Sequence, residues 1–360
     1  VTDLAINGRF LTQGLTGVQR FATEIVAALD ALAADGQAPA MRVLAPAGAV
    51  APAWRALEVE TVGTRQGQAW EQLDLAGAAR GRMLINLGNT APLRLGRSQA
   101  VVIHDAGAFD TPESYAFAFR AWYRLLHHAL ARSGARLITV SEFSRGRIAH
   151  HLGIAPERIG VIPEGGEHML RDPAAPDALA RHGLVPGRYA LAVGTRAAHK
   201  NLDTLAAAAA LLAERGLTLA AVGAADAAVF RPAAGAAGPG AVALGRVSDA
   251  ELRALYEGAL CLVFPSRYEG FGLPPLEAMV CGCPVVAARA GAVPEVCGDA
   301  ALWFDLAQPE SLTAQLARLL DEPDLHGAMR ASGLARAAKF TWRRAAEGLL
   351  ALIGNEGGRP

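Results

Sequence analysis

Short apolar runs alternate with helix-length amphipathic segments along the whole chain, and no other feature narrows the fold as much. The first series of runs is Leu4–Ile6, Met41–Leu44, Met83–Leu87, Ala100–Ile103, Leu137–Val140 and Ile159–Ile162. The second is Tyr189–Val193, Thr218–Val222, Val242–Leu244, Ala259–Val263, Pro284–Ala287 and Ala301–Trp303. Helical patterns lie between them: Gln19–Leu32, Tyr115–Arg132, Leu202–Arg215, Asp249–Tyr256, Leu276–Cys281 and Pro309–Leu320. Parallel strands need a crossover connection, so this alternation predicts α/β architecture, parallel sheets with helices on both faces. At 360 residues the chain exceeds what one core usually serves. Two series of runs therefore predict two such domains. A Pro- and Gly-rich stretch over 163–176 marks the seam and predicts domains over 1–167 and 168–339. Two open sheets facing each other across a hinge would turn their strand C-termini, where such sheets bind ligands, toward a common cleft.

Charge tells against broad electrostatic docking. The chain carries 34 basic and 34 acidic side chains, without a basic tail or an acidic block, which argues against a nucleic-acid module. With 52% hydrophobic and 19% charged residues it is not a disordered chain. The N-terminus lacks the basic-then-apolar pattern of a secretory signal, and the Ala-rich stretch 205–212 is too short to span a bilayer. Cys261, Cys281, Cys283 and Cys297 lack zinc or thioredoxin spacing and predict buried, reduced thiols in a cytoplasmic protein. Only two of the basic residues are lysine, Lys200 and Lys339.

Four segments carry the chemistry. Gly14-Leu15-Thr16-Gly17-Val18 opens the first long helix, where glycine admits a ligand to the backbone and free N–H groups meet an anion. Gly194-Thr195-Arg196-Ala197-Ala198-His199-Lys200-Asn201 again joins a strand to a helix, and Arg196 and Lys200 suit a diphosphate. Cations at a helix N-terminus oppose its dipole, so an anion is expected there. Pro265-Ser266-Arg267-Tyr268-Glu269-Gly270-Phe271-Gly272-Leu273-Pro274-Pro275-Leu276-Glu277 sets two carboxylates at the ends of a Gly-rich, Pro-stiffened loop. A carboxylate accepts hydrogens from vicinal hydroxyls, which points to sugar or ribose. His104-Asp105 ends an apolar strand, a position from which His104 can donate to a substrate oxygen. Ser141 caps a helix. The helix 115–132 bears Phe117, Phe119, Trp122 and Tyr123 among Arg120, Arg124, His127 and Arg132; core aromatics with a solvated basic face are the favoured reading, a membrane or acceptor contact the other.

Taken together these motifs resemble the retaining family 4 glycosyltransferases of the GT-B fold, bacterial polysaccharide type, over essentially the whole chain. The resemblance rests on the Glu269 to Glu277 stretch with Ala278-Met279 and Cys283-Pro284-Val285-Val286-Ala287, on Gly194 to Asn201, on Thr16-Gly17-Val18 and on His104-Asp105. It implies that Arg196 and Lys200 hold the donor diphosphate with Gly194, and that Glu277 holds the nucleotide ribose. It further implies that Glu269 with Gly270, Phe271, Gly272 and Leu273 lies against the donor sugar, that Val247 lies near the base, that Gly17 belongs to the N-terminal glycine loop and that His104 contacts the sugar. Segment 340–360 corresponds to the family's terminal helix, which commonly crosses back to the N-terminal domain. Gly165-Gly166-Glu167 departs from the Asn-Gly-aliphatic-Asp of many relatives. The implied activity moves a hexose, with GDP-mannose slightly favoured as donor, to a glycan or lipid-linked saccharide. It uses no metal and no cofactor beyond the nucleotide sugar, and the implied setting is the cytoplasm, with peripheral contact to the inner membrane face. A nucleotide-sugar epimerase and a non-catalytic nucleotide-sugar-binding protein stay open; a dinucleotide-dependent dehydrogenase is disfavoured, as neither half has the glycine fingerprint.

Overall fold

A computed structural model of the protein describes residues 3–194, 197–223, 240–308 and 310–354. The chain divides into two units, Val1–Gly165 with Thr341–Pro360, and Gly166–Phe340. The borders thus fall at 165/166 and 340/341 rather than at 167/168 and 339/340.

In the first unit seven strands form one parallel sheet: β1 (Leu4–Asn7), β2 (Met41–Ala45), β3 (Glu58–Thr61), β4 (Met83–Asn86), β5 (Gln99–Val102), β6 (Arg136–Thr139) and β7 (Ile159–Val161). Their order is β3-β2-β1-β4-β5-β6-β7. The direction of strand addition reverses between β1 and β4, and ligands bind beyond the strand C-termini at such a switch point. β1, β4 and β5 are buried throughout, as expected of a parallel sheet covered on both faces. β3 was not among the expected strands. It is an edge strand of sequence Glu-Val-Glu-Thr, mostly exposed, with Arg42 of β2 within 3.8 Å of Glu58 and 3.7 Å of Glu60. Its polarity suits an edge that must not recruit another chain, and the same polarity hides it from an apolar-run criterion. Also unforeseen is a helical stretch over 67–78 whose centre, Trp70–Leu75, winds as a π-helix. Trp70 anchors it, fully buried and donating Nε1–H to the Val62 carbonyl at 2.7 Å.

The last helix, Trp342–Gly354, packs with the first unit, against the helix Gly17–Ala34. Phe21 meets Trp342 edge-on at 5.9 Å between ring centres. Gly160 and Gly348 bring the helix in close, because a Cβ at 160 would stand 2.5 Å from Leu352 and one at 348 would stand 3.4 Å from Ile162.

The helix Phe117–Ser133 splits its aromatics between core and solvent, unlike the favoured expectation. Trp122 packs on the core cluster, whereas Phe117 is 75% and Phe119 39% exposed. His127 is buried and donates Nε2–H to the Asn89 carbonyl at 2.9 Å. Burial is the main reason its pKa falls from 6.5 to about 4. A histidine neutral when folded and titrating normally when unfolded stabilises the fold fully above about pH 6.5. That stabilisation is lost as pH falls toward 4, by about 2 kcal/mol at pH 5. Urea unfolding followed from pH 7 to 5 should show this slope, and His127→Gln, which keeps a donor for Asn89, should flatten it.

In the second unit six parallel strands, β8 (Tyr189–Gly194), β9 (Thr218–Gly223), β10 (Ala241–Gly245), β11 (Cys261–Phe264), β12 (Val285–Ala288) and β13 (Ala301–Phe304), take the order β10-β9-β8-β11-β12-β13. Here the switch point lies between β8 and β11. One face is covered by the helices Leu205–Glu214 and Glu310–Asp321 through Leu205, Leu212, Leu312 and Leu316. The helix Leu325–Ala337, also not foreseen, crosses the helix Leu273–Val280 at Gly333, whose missing Cβ would sit 3.3 Å from Met279. All four cysteines are free and buried, and burial pushes the thiols of Cys261, Cys281 and Cys297 up to about 12. Among the described residues no helix is long and apolar enough to cross a membrane.

Candidate active site

Beyond the C-termini of β8 and β11 two loops are joined across the switch point of the second sheet. The Arg267 amide donates to the His199 carbonyl at 2.7 Å, and Asn201 Nδ2 donates to the Pro265 carbonyl at 3.2 Å. Asn201 takes the left-handed conformation (φ 53°) and turns the chain into the helix that follows. Between these two ties Lys200 Nζ donates to Glu269 Oε1 at 2.6 Å and lies 5.9 Å from the centre of the Phe264 ring. Side-chain exposure is 18% for Lys200 and 12% for Glu269, so the pair is largely but not wholly withdrawn from water. The backbone of Glu269 is held from behind as well: Ala292 N–H donates to its carbonyl at 3.1 Å, and a Cβ at Gly291 (φ +59°) would come within 2.7 Å of its amide nitrogen. Lysine and glutamate from separate loops therefore meet at the place where an open α/β sheet receives a ligand.

The helix Leu273–Val280 starts beside them. Gly272, its N-cap, has φ +110° and no side chain to cap the helix. Pro274 and Pro275 occupy the first turn and remove two amide donors that would otherwise need partners, which leaves the Leu273 N–H and the loop amides as the polar face of this end. Phe271 is buried, its ring 6.0 Å from that of Phe340, so only its backbone is available to a ligand. One turn along, Glu277 is buried and doubly engaged. His168 Nε2–H donates to Oε1 at 3.0 Å and Tyr256 O–H to Oε2 at 3.3 Å. Burial, and after it the Glu277 carboxylate, raises the Tyr256 hydroxyl well above its usual pKa, so it stays a donor. Gly166 lets the segment bearing His168 approach, since a Cβ there would stand 2.8 Å from Leu276.

Of the other residues picked out in this half, Gly194 ends β8 with Lys200 side-chain carbons 3.9 Å from where its Cβ would be. Val247 follows β10, the edge strand, two strands away from β8, and is half-buried. Arg196 lies outside the described residues, as does Thr195.

Within the first unit His104 follows β5, 5% exposed. Its Nε2–H donates to the Leu87 carbonyl at 3.0 Å, Nδ1 faces Glu164 Oε1 at 3.5 Å, and Phe21 packs edge-on at 4.7 Å. Both ring nitrogens are thus turned to partners of its own unit. Gly17 begins the helix Gly17–Ala34 behind Thr16, and a Cβ at Gly14 or Gly17 would meet nothing within 4 Å. No packing within the described residues demands glycine there. A second constellation, which the sequence did not announce, lies at the switch point of this sheet. Glu71, 1% exposed, accepts at Oε1 from Asn7 Nδ2 (2.8 Å) and Thr90 Oγ1 (3.0 Å), and at Oε2 from Arg9 Nη1 (3.1 Å). The constellation is drawn from separate segments of the chain, so no local spacing could have revealed it. Glu164, His168 and Tyr256 were missed for the same reason.

Two Rossmann-like units with parallel sheets, of which the second carries a cation and carboxylates at its switch point, define a GT-B glycosyltransferase class of fold. WaaG, "a glycosyltransferase involved in lipopolysaccharide biosynthesis", has the same architecture at a TM-score of 0.68, with 18% identity over 99% of this chain and 100% of that one. Residues 187–322 match the family model described as "Glycosyl transferases group 1". The Escherichia coli O-antigen chain mannosyltransferase B is 34% identical over 262 residues, 70% of this chain and 68% of that protein. The D-inositol 3-phosphate glycosyltransferase of Segniliparus rotundus is 32% identical over 62% of this chain. The MMP alpha-(1->4)-mannosyltransferase of Mycolicibacterium hassiacum is 33% identical over 63% of it. The matches span 52% and 56% of those two relatives' own lengths. The chain belongs to the group 1 glycosyl transferases and is a glycosyltransferase enzyme.

Proposed function

We propose that this glycosyltransferase moves a hexose, mannose before others and GDP-mannose as its donor, from a nucleotide-diphosphate sugar to a hydroxyl of a glycan or lipid-linked saccharide, with retained configuration. The observation that carries the reading is the Lys200–Glu269 contact at the switch point of the second sheet, beside the Gly272 end of a helix. As the bond between the anomeric carbon and the phosphate oxygen breaks, negative charge grows on the departing diphosphate. Lys200 and the amides around Gly272, joined by Arg196, would meet that charge where it develops, which is where fixed charges and dipoles lower a barrier most. The acceptor oxygen bonds to the anomeric carbon on the same face, and its proton passes to the departing phosphate oxygen. Glu269, tied to Lys200 through one oxygen, positions the sugar or supports its cationic character rather than attacking it. Glu277 holds the ribose. Mannose is favoured because two of the relatives named above are mannosyltransferases. A lipid-linked acceptor would bring the chain to the inner face of a membrane, where the exposed Phe117 and Leu125 offer a peripheral contact.

Thermal unfolding with GDP-mannose, UDP-glucose and other nucleotide sugars tests the donor. A ligand present at 100 times its dissociation constant stabilises by about 2.7 kcal/mol, so the true donor should raise the melting temperature and its nucleoside diphosphate should appear when acceptor is added. Conversion of the donor without any acceptor would favour an epimerase instead. Saturable binding with no release of nucleoside diphosphate would favour a binding protein.

A further inference from the structure

Among the described residues only Asn89 and Asn201 hold a positive φ without being glycine, at 66° and 53°. A side chain in that conformation costs free energy that glycine avoids. Such residues persist where the surrounding structure holds them, and they gather at functional sites. Both asparagines tie two loops together beyond a parallel sheet. In the first unit Asn89, in the loop after β4, accepts the amide of His104, which follows β5, at 2.7 Å. In the second unit Asn201 Nδ2 donates to the carbonyl of Pro265, the residue after β11, at 3.2 Å.

Asn201 is buried, and its Oδ1 has no hydrogen-bond partner among the described residues, a second cost at the same position. Its main chain is fixed too, since Thr204 Oγ1 donates to the Asn201 carbonyl at 2.8 Å. Glycine would relieve both costs and keep the turn, so what asparagine adds is the bond to Pro265. Asn201 is also the C-cap of the 3-10 turn Ala198–Lys200 that carries Lys200. Lys200 Nζ in turn meets Glu269 Oε1 and stands over the ring of Phe264, the residue before Pro265. The carboxamide therefore fastens the backbone that bears the cation to the backbone that bears the ring and, four residues on, the carboxylate. The companion tie, from the Arg267 amide to the His199 carbonyl, is main-chain only and survives any change at residue 201.

We propose that Asn201 is a positioning residue of the donor site: its carboxamide locks the loop of Lys200 to the loop of Glu269 and so holds the ammonium group where the departing diphosphate arrives. The last clause rests on the glycosyltransferase reading, but the positioning is tested by a signal that needs no substrate. Lys200 and Lys339 are the only lysines in the chain. Lysine labelled with carbon-13 at Cε and nitrogen-15 at Nζ therefore gives two side-chain NMR signals in the full chain, and Lys200→Arg assigns them by deleting one. The Phe264 ring and the bond to Glu269 should set the Lys200 signal apart from that of a free lysine. In Asn201→Gly it should move at least halfway to the free-lysine position, while the melting temperature holds or rises. GDP or UDP, whichever the unmodified chain binds, should bind Asn201→Gly about tenfold more weakly, the scale of one lost hydrogen bond. In Lys200→Ala the same change should cost less than about twofold, because the group through which Asn201 acts is gone. The proposal is overturned if the Lys200 signal stays in place in Asn201→Gly, or if the loss of nucleotide affinity is equal with and without Lys200. A fall in melting temperature alone would mark a merely structural asparagine and overturns it as well. If neither nucleotide binds the unmodified chain, the donor reading fails, and the Lys200 signal alone decides the positioning. Thr204→Val, which removes the hydroxyl that fixes the Asn201 carbonyl, should shift the Lys200 signal the same way by less, and it decides should Asn201→Gly fail to fold.

Discussion

Lys200→Ala is expected to lower kcat/KM by about 10²–10³, or 3–4 kcal/mol of transition-state stabilisation, the usual cost of removing one fixed donor from a developing anion. If Lys200 meets the departing diphosphate, the effect falls on kcat at least as much as on KM, because that charge is larger in the transition state than in the bound donor. A structural role makes a different prediction. Removing the cation leaves Glu269, only 12% exposed in its side chain, without its partner at 2.6 Å, and an uncompensated carboxylate in that setting destabilises the fold. Lys200→Ala should therefore also unfold at lower temperature. Lys200→Ala combined with Glu269→Gln separates the two effects. If the loss of activity came only from the stranded carboxylate, the double variant would recover both stability and turnover. If Lys200 meets the departing diphosphate, the double variant recovers stability and stays inactive, which is the expected result. Turnover measured well below the unfolding temperature of every variant, together with their melting curves, decides between these outcomes.

Strand and helix alternation was legible because parallel strands are buried on both faces and so read as apolar runs. The exceptions follow from the same physics. β3 is an edge strand and is built of Glu, Val, Glu and Thr, so its sequence carries no apolar signal. The helix Leu325–Ala337 contains two glycines, which argue against a helix locally, yet Gly333 is what lets it cross Met279 closely. The second-unit site was legible as motifs since its loops are contiguous: Lys200 and Glu269 each sit in a recognisable strand-to-helix junction. Their 2.6 Å contact was not, nor was the pairing of Glu277 with His168 and Tyr256, because sheet order alone brings these segments together. The Glu71 constellation stands furthest from the sequence. Its members are 64, 19 and 62 residues from their partners in the chain, and each alone is an ordinary polar side chain.

Glu277→Gln is expected to raise the KM for the nucleotide sugar by about 10–100-fold with kcat changed little, the signature of a contact made equally in the ground and transition states. His168, whose side chain is fully buried, takes one lone pair of Oε1 at 3.0 Å, and Tyr256 takes one of Oε2 at 3.3 Å. Each oxygen keeps capacity for a further donor, which is what two vicinal ribose hydroxyls supply. Glutamine keeps the shape but has one acceptor oxygen in place of two, and its amide nitrogen must face a donor. The decisive comparison uses a 2′-deoxy nucleotide sugar. Against the unmodified enzyme it should bind more weakly by a factor close to that of Glu277→Gln, and against Glu277→Gln it should lose little more, because the contact is already gone. Equal penalties in both enzymes would mean that the ribose is held elsewhere. His168→Gln, which retains a donor toward Oε1, should cost less than His168→Ala in the same KM. A purely structural histidine would lower the melting temperature in both variants and leave KM where it was. The order Glu277→Gln, His168→Ala, His168→Gln in falling KM is thus what a ribose carboxylate aimed by a buried histidine requires.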